Sequence, residues 1–231
     1  MQSFGSAYRV CIVGAAGAIG SAMVRQFETD PACAFVHGIT RDQTPHFDLR
    51  DEASIAAYAD YLQQFAPFHC IIVTTGVLHN ADFMPEKKLG DLNAAQLQES
   101  FLVNAIGPAL VLRHFAPLLA KERSVFACLS AKVGSIEDNR LGGWYSYRAS
   151  KAALNMLLKT TSIELARSKP QSIVLALHPG TVNSRLSKPF KGEQFGRPAE
   201  VAAAELLAQI DQANPSDSGT FVAYNGERLP W

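Results

Sequence analysis

The stretch YRVCIVGAAGAIGSAMVRQFETD, residues 8–30, decides the fold. Its first part, 8–15, is an apolar run with β-branched residues that stops at a glycine, which reads as a buried strand. Beyond it, Ile19, Met23 and Phe27 recur at helical spacing, so a helix follows. Between the two, Gly14, Gly17 and Gly20 permit a tight turn and a close backbone approach. A helix opening there aims free N–H groups and the positive end of its dipole at a ligand, and a phosphate suits both. Glycine-rich turns are common, but a strand before and a helix behind make this one a dinucleotide-binding element.

The same alternation runs to the end of the chain. Strand-like runs fall at 33–40, 70–76, 124–130, 172–180 and 219–224. Helical patterns fall at 51–65, 93–120, 147–166 and 198–210, the last opened by Pro198 in its first turn. Strands alternating with helices imply a parallel sheet covered on both faces, a doubly wound α/β fold. No linker, repeat or low-complexity tract interrupts residues 1–231, so a single domain is expected. The one long irregular stretch, TVNSRLSKPFKGEQFGR at 181–197, follows a strand end, where parallel sheets bind ligands. It is expected to form a substrate lid, and its Leu186, Phe190 and Phe195 suggest an apolar or aromatic substrate.

Composition excludes several classes. Hydrophobic residues are 48% of the chain, enough for a large core, and 21 basic residues balance 21 acidic ones. Nothing in that balance points to nucleic acid or to an anionic membrane. No apolar run approaches the roughly 20 residues of a membrane span. The first residues lack the basic and apolar segments of an export signal. The four cysteines are scattered without a C-x-x-C, as small buried hydrophobes rather than a redox or metal set, and the histidines show no metal spacing. A reducing cytoplasm is the expected setting.

An acidic residue after the second strand favours a free ribose 2′-hydroxyl, and a cation there favours a 2′-phosphate. Here Thr40 and Arg41 occupy that place, followed by Asp42. A guanidinium grips a phosphate through two parallel hydrogen bonds, so NADP(H) is favoured over NAD(H), with Asp42 on a ribose hydroxyl as the competing arrangement. Farther on, GGWYSYRASKAAL at 142–154 holds Tyr145, Tyr147 and Lys151. On a helix Tyr147 and Lys151 lie about 40° apart on one face, whereas Tyr145 is turned about 120° from Lys151. A free phenol, with a pKa of about 10, is a poor proton carrier at neutral pH. A neighbouring ammonium is expected to lower that value and make Tyr147 an acid–base group. Trp144 packs beside this helix or walls a substrate, His79 is a candidate pocket residue, and His178 packs at a strand end.

Taken together, these motifs resemble the short-chain dehydrogenase/reductase family along essentially the whole chain, and its C-factor-like members in particular. VGAAGAIG stands for the family's glycine motif, DLRD (48–51) for its adenine-binding segment, VTTG (73–76) for its N-N-A-G, and YRASK for its catalytic signature. VNAIGPALV (103–111) carries the helix asparagine, and HPGTV (178–182) matches the turn that holds the nicotinamide carboxamide; LSKPF and YNGERLPW are close to the subgroup. The resemblance implies a Rossmann-type fold and a catalytic set of Tyr147, Lys151, Asn104 and Ser130. It implies cofactor contacts from Gly14, Gly17, Ile19, Gly20, Thr40, Arg41, Asp48, Leu49, Thr75, Gly76, Tyr147, Lys151, Pro179, Gly180, Val182 and Ser184. Lys151 would bind the nicotinamide ribose, and Asn104 would hold a relay water. Pro108 lies four residues after Asn104 and has no N–H, which frees the Asn104 carbonyl from its helical partner.

The pattern departs from the family in three places. Ala18 replaces the second glycine, Val73 and Thr74 replace two asparagines, and Ala131 stands where the substrate-orienting serine belongs. Ser130 is one position early. Either the strand has ended and Ser130 turns into the site, or the hydroxyl is absent, with Ser135 a weaker substitute. The resulting expectation is an NADP-dependent oxidoreductase of carbonyl reductase type acting on a small carbonyl or alcohol. The alternative is a dinucleotide-binding sensor or C-factor-like signalling protein with little turnover. Apolar residues on more than one face of the helices at 97–119 and 147–166 suggest a homodimer or homotetramer.

Overall fold

The computed structural model describes residues 1–231. Six strands form one sheet: β1 (Tyr8–Val13), β2 (Cys33–Ile39), β3 (Cys70–Val73), β4 (Ser124–Leu129), β5 (Ser172–His178) and β6 (Thr220–Ala223). Their order is β2-β1-β3-β4-β5-β6, and every neighbouring pair is parallel. The order reverses between β1 and β3, so the chain leaves those two strands in opposite directions and opens a crevice at their carboxyl ends. The helices are α1 (Ala18–Thr29), α2 (Glu52–Leu62), α3 (Ala94–Phe101), α4 (Gly107–Phe115), α5 (Tyr145–Ser168), the short α6 (Gly192–Phe195) and α7 (Ala199–Gln212).

Alternate side chains of each strand enter two separate cores. Val13, Ile71, Phe126 and Val174 face the side covered by α2, α4 and α5, where they meet Tyr58, Phe115 and Leu154. Ile12, Ile72, Ala127 and Leu175 face the side covered by α1 and α7, where they meet Met23, Phe27 and Leu206. Strands buried on both faces need no polar alternation, which is why they read as continuous apolar runs.

The boundaries differ from the sequence reading where backbone chemistry intervenes. β3 ends at Val73 rather than Gly76. There the Thr74 hydroxyl bonds the carbonyls of Val13 (2.9 Å) and Gly14 (3.1 Å), drawing the chain to the end of β1. The pattern at 93–120 is not one regular helix. A π-turn at Leu102–Ile106 separates α3 from α4, whose second residue is Pro108. A proline cannot donate to the preceding turn, and a wider turn absorbs the missing bond. The stretch Ala94–Leu118 is long and apolar enough to cross a membrane by length and composition, which the run-length reading missed because charged residues interrupt it; more than half of it is buried within the fold. α5 begins two residues earlier than expected, at Tyr145.

At the start of α4, a Cβ on Gly107 would lie 2.8 Å from both Cβ and O of Leu49. This contact ties the helix to the loop after β2. Gly107→Ala should therefore lower stability by about 1–3 kcal/mol, the usual consequence of overpacking, read as a reduced urea midpoint with an unchanged m-value.

Candidate active site

The crevice begins at the first turn. Gly14 adopts φ 91°, and a Cβ there would lie 2.8 Å from Thr74 Oγ1 and from Thr75 Cγ2. A Cβ on Gly20 would run into the Gly14 carbonyl and lie 2.7 Å from Thr74 Oγ1. Both positions therefore require glycine. Gly17 caps α1 without any side-chain partner, so the first amides of the helix stay unsatisfied by the chain. Ala18 is the first residue of α1 with helical backbone, so the family's glycine is not needed there. Ile19 follows it, half-buried against the α1-side core. The hydroxyl of Thr75 is buried and has no partner. Burying a hydroxyl unpaired costs about 1–3 kcal/mol, which a ligand's polar group would recover. Unpaired helix amides beside a glycine cradle fit a dinucleotide's phosphates, and the orphan hydroxyl fits a polar group farther along it.

At the end of β2, Thr40 Oγ1 donates to Gln43 Oε1 at 3.3 Å, and Arg41 and Asp42 are exposed. The Asp48 carboxylate accepts from the Arg50 amide at 2.9 Å, while Leu49 is buried against α4. Arg50 in turn pairs with Glu99 at 2.5 Å.

Tyr147 and Lys151 share the inner face of α5, 9% and 3% exposed. The Lys151 ammonium stands 5.9 Å from the Tyr147 ring centroid and donates to the Leu129 carbonyl at 2.8 Å. A Cβ on Gly76 would lie 3.4 Å from Asn104 Oδ1 and 3.6 Å from Lys151 Nζ, so these three groups meet at one point. Asn104 is fully buried in the π-turn. Its amide donates to the Val77 carbonyl (2.8 Å) and to Ser150 Oγ (3.1 Å), and its oxygen accepts from the Val77 N–H (2.8 Å). It thereby staples the loop after β3 to α5. Tyr145 lies on another face of α5, where it lines a shallow hollow of about 280 Å³ with Arg148 and Ala152.

Burial dominates the electrostatics. It pushes the Tyr147 phenol up to about 12 and the Lys151 ammonium down to about 8. The expected lowering of Tyr147 by Lys151 is thus reversed, because desolvation outweighs a cation at that distance.

The Ser130 amide still bonds the Leu177 carbonyl at 2.7 Å, so strand pairing continues through it. Its hydroxyl donates to Asn155 Oδ1 at 2.6 Å, one turn of α5 beyond Lys151. Ser135 is also engaged, donating to the Trp231 carbonyl at 3.2 Å and accepting from the Asp138 amide.

The stretch at 181–197, expected as a lid, is folded. Thr181 and Asn183 bond Arg197 through the backbone, and Arg197 donates to the Pro179 carbonyl at 2.5 Å and lies 3.5 Å over the Tyr224 ring. Gly180 has φ 71°, and a Cβ there would lie 2.9 Å from Tyr224. Val182 is buried and pairs with Arg197, and Ser184 bonds Ser187. Phe190 reaches Trp144 and His79, whereas Phe195 is 73% exposed and forms no aromatic pair.

Sequence reasoning missed Glu86. Its buried carboxylate accepts the Ser146 amide at 3.2 Å and the Ser146 hydroxyl, and its carbonyl accepts the Trp144 N–H at 2.5 Å. Those partners lie about sixty residues away in sequence, and no local pattern links them. Asn155, Ser150 and Arg197 escaped for the same reason.

The sequence model of the family described as short chain dehydrogenase matches residues 8–194. A 1-hydroxy-2-glutathionyl-2-methyl-3-butene dehydrogenase of Rhodococcus sp. (strain AD45) is 34% identical over 233 residues, spanning 96% of this chain and 99% of that protein. The C-signal of Myxococcus xanthus is 37% identical over 146 residues, spanning 62% of this chain and 83% of that protein. Among solved structures, an NADPH-bound carbonyl reductase from chicken fatty liver superposes with a TM-score of 0.84 at 22% identity, over 98% of this chain and 95% of the other. The carbonyl reductase Sniffer of D. melanogaster gives 0.83 at 18% identity, over 98% and 100%. At such identities the two structures share the fold with this chain.

His178 supplies a pH-dependent test of the site's framework. Burial, with Lys132 and Arg197 nearby, lowers its pKa from 6.5 to about 4. Between those values the unfolded chain binds a proton that the folded chain refuses, so stability falls as pH drops through that window. Urea midpoints should decline over it, and His178→Gln should flatten the decline.

Proposed function

The chain belongs to the short-chain dehydrogenase family of oxidoreductases, and from that premise we propose that it is an NADP(H)-dependent carbonyl reductase or alcohol dehydrogenase. One observation carries this reading: a phenol and an ammonium are buried together on α5, with Gly76 and Asn104 at the ammonium. The nicotinamide, when bound, supplies or accepts the hydride. Gly14, Gly17, Ile19 and Gly20 would hold its phosphates, Thr40 and Arg41 the 2′-phosphate, and Asp48 and Leu49 the adenine side. Thr75, Gly76 and Lys151 would hold the nicotinamide ribose region, and Pro179, Gly180, Val182 and Ser184 the carboxamide.

The chain's own groups move the proton. At neutral pH a phenol near 12 is protonated and an ammonium near 8 is charged, so the resting site is a proton donor. Tyr147 gives its proton to the carbonyl oxygen, and Lys151 stabilises the phenolate that results. Asn104 holds the Val77 loop and Ser150 in place, with its backbone carbonyl free of Pro108 for a relay water. The lid at 181–197 closes the site. All four thiols are free, which suits a reducing cytoplasm. Ile106, Met156 and Ile163 leave apolar surface exposed on the π-turn and α5, which supports pairing of two copies as a homodimer or homotetramer.

A second reading, a nucleotide-binding sensor with little turnover, is favoured by Ala131 and by the commitment of the Ser130 hydroxyl to Asn155. NADPH oxidation with a panel of aldehydes, ketones and quinones separates the two. Turnover abolished by Tyr147→Phe, with NADPH binding intact, supports the enzyme; binding without turnover across the panel supports the sensor. Reduction should hold through neutral pH and fall as Lys151 discharges near 8, while alcohol oxidation rises with pH. Arg41→Ala should raise KM for NADPH about tenfold or more and leave NADH nearly unchanged, given about 1.5–3 kcal/mol for a bond to a charged group.

A further inference from the structure

We propose that Trp144, Phe190 and His79 form the wall of the substrate site and select carbonyl compounds with a flat aromatic group beside the carbonyl. The inference rests on Tyr147 as the proton donor. Trp144 stands edge-on to Tyr147, with ring centroids 6.2 Å apart at 75°. Its other neighbour is Phe190 of the lid, 5.0 Å away at 55°, and Phe190 meets His79 at 6.0 Å and 64°. His79 is tied to the lid by a hydrogen bond to the Arg185 carbonyl at 3.2 Å. A carbonyl oxygen placed at the Tyr147 hydroxyl therefore carries its substituent against this row of rings. Trp144, Phe190 and His79 are each only half-buried, so part of every ring surface is open to a ligand. Tilted and edge-on arrangements offer both ring faces and ring edges, which an aromatic group matches better than a saturated one.

Packing preference alone does not put Trp144 there. Gly142, Gly143 and Trp144 follow one another in left-handed conformation, with φ of 63°, 64° and 52°. Glycine tolerates this; a tryptophan does so only when its surroundings force it. Glu86 forces it. This residue is 2% exposed, its carbonyl takes the Trp144 N–H, and its carboxylate takes the Ser146 amide and hydroxyl at the start of α5. No lysine or arginine pairs with it, so its carboxylate is held by the first turn of α5. Glu86 is therefore a positioning residue for both Trp144 and the first turn that bears Tyr147.

The test compares benzaldehyde with cyclohexanecarbaldehyde, which differ in ring planarity but little in size, using NADPH. Wild type should favour benzaldehyde severalfold, up to about tenfold, in kcat/KM. Trp144→Leu and Phe190→Leu should erase the preference mainly through KM, and Trp144→Phe should retain it. Glu86→Gln should shrink the preference while the urea midpoint reports any general loss of stability. A turnover-independent arm follows Trp144 fluorescence in Trp231→Phe, since the chain has two tryptophans. Saturable quenching by benzaldehyde and not by its saturated analogue supports the wall. Selective quenching without hydride transfer would leave the wall standing and remove the oxidoreductase reading. Equal use and equal quenching by the two aldehydes, or Trp144→Leu losses that are the same on both, overturn the proposal.

Discussion

A single buried ammonium organises the carboxyl edge of the sheet in this protein. Lys151 has its charge held by one carbonyl, that of Leu129 at the end of β4. Taking an ammonium out of water is expensive, and burial alone drags its pKa down to about 8. The fold accepts this because everything around the lysine is shaped for it. Gly134 has no room for a side chain, since a Cβ would lie 2.7 Å from Lys151 Cβ. Gly76 packs beside Nζ, and Asn104 fixes the loop that carries Gly76. Such an arrangement works against stability.

Regular structure gives way at the same edge. β1 stops at a glycine with φ 91°, a π-turn replaces one turn of helix around Asn104, and three left-handed residues precede α5. Each exception is held by specific partners: Thr74 at the first, Val77 and Ser150 at the second, Glu86 at the third. The two apolar cores beneath are regular by contrast, with strand side chains alternating strictly between them. A rigid double core supplies the stiffness that lets strained backbone persist above it.

Much of this was legible beforehand. All six strands and the principal helices appear in the apolar periodicity, because burial on both faces writes long apolar runs and an amphipathic surface writes a helical period. Tyr147 and Lys151 were legible because helical spacing alone puts them on one face. The pKa of Tyr147 was not. Spacing reports the nearness of the ammonium but not the desolvation that opposes it, and desolvation won. Ser130 was ambiguous for a similar reason: only the ladder bond to Leu177 and the contact with Asn155 show which way the hydroxyl turns.

The amino-acid sequence by itself determined the doubly wound architecture, the glycine cradle and the helical pairing of phenol with lysine. These follow from local backbone rules and from periods of two and 3.6 residues. Tertiary structure alone decided that Glu86 caps α5, that Trp144 is turned left-handed toward Phe190, and that Arg197 pins the 181–197 stretch beside Gly180. Those contacts join residues far apart in the chain, and they exist only once the sheet has brought its carboxyl edge together.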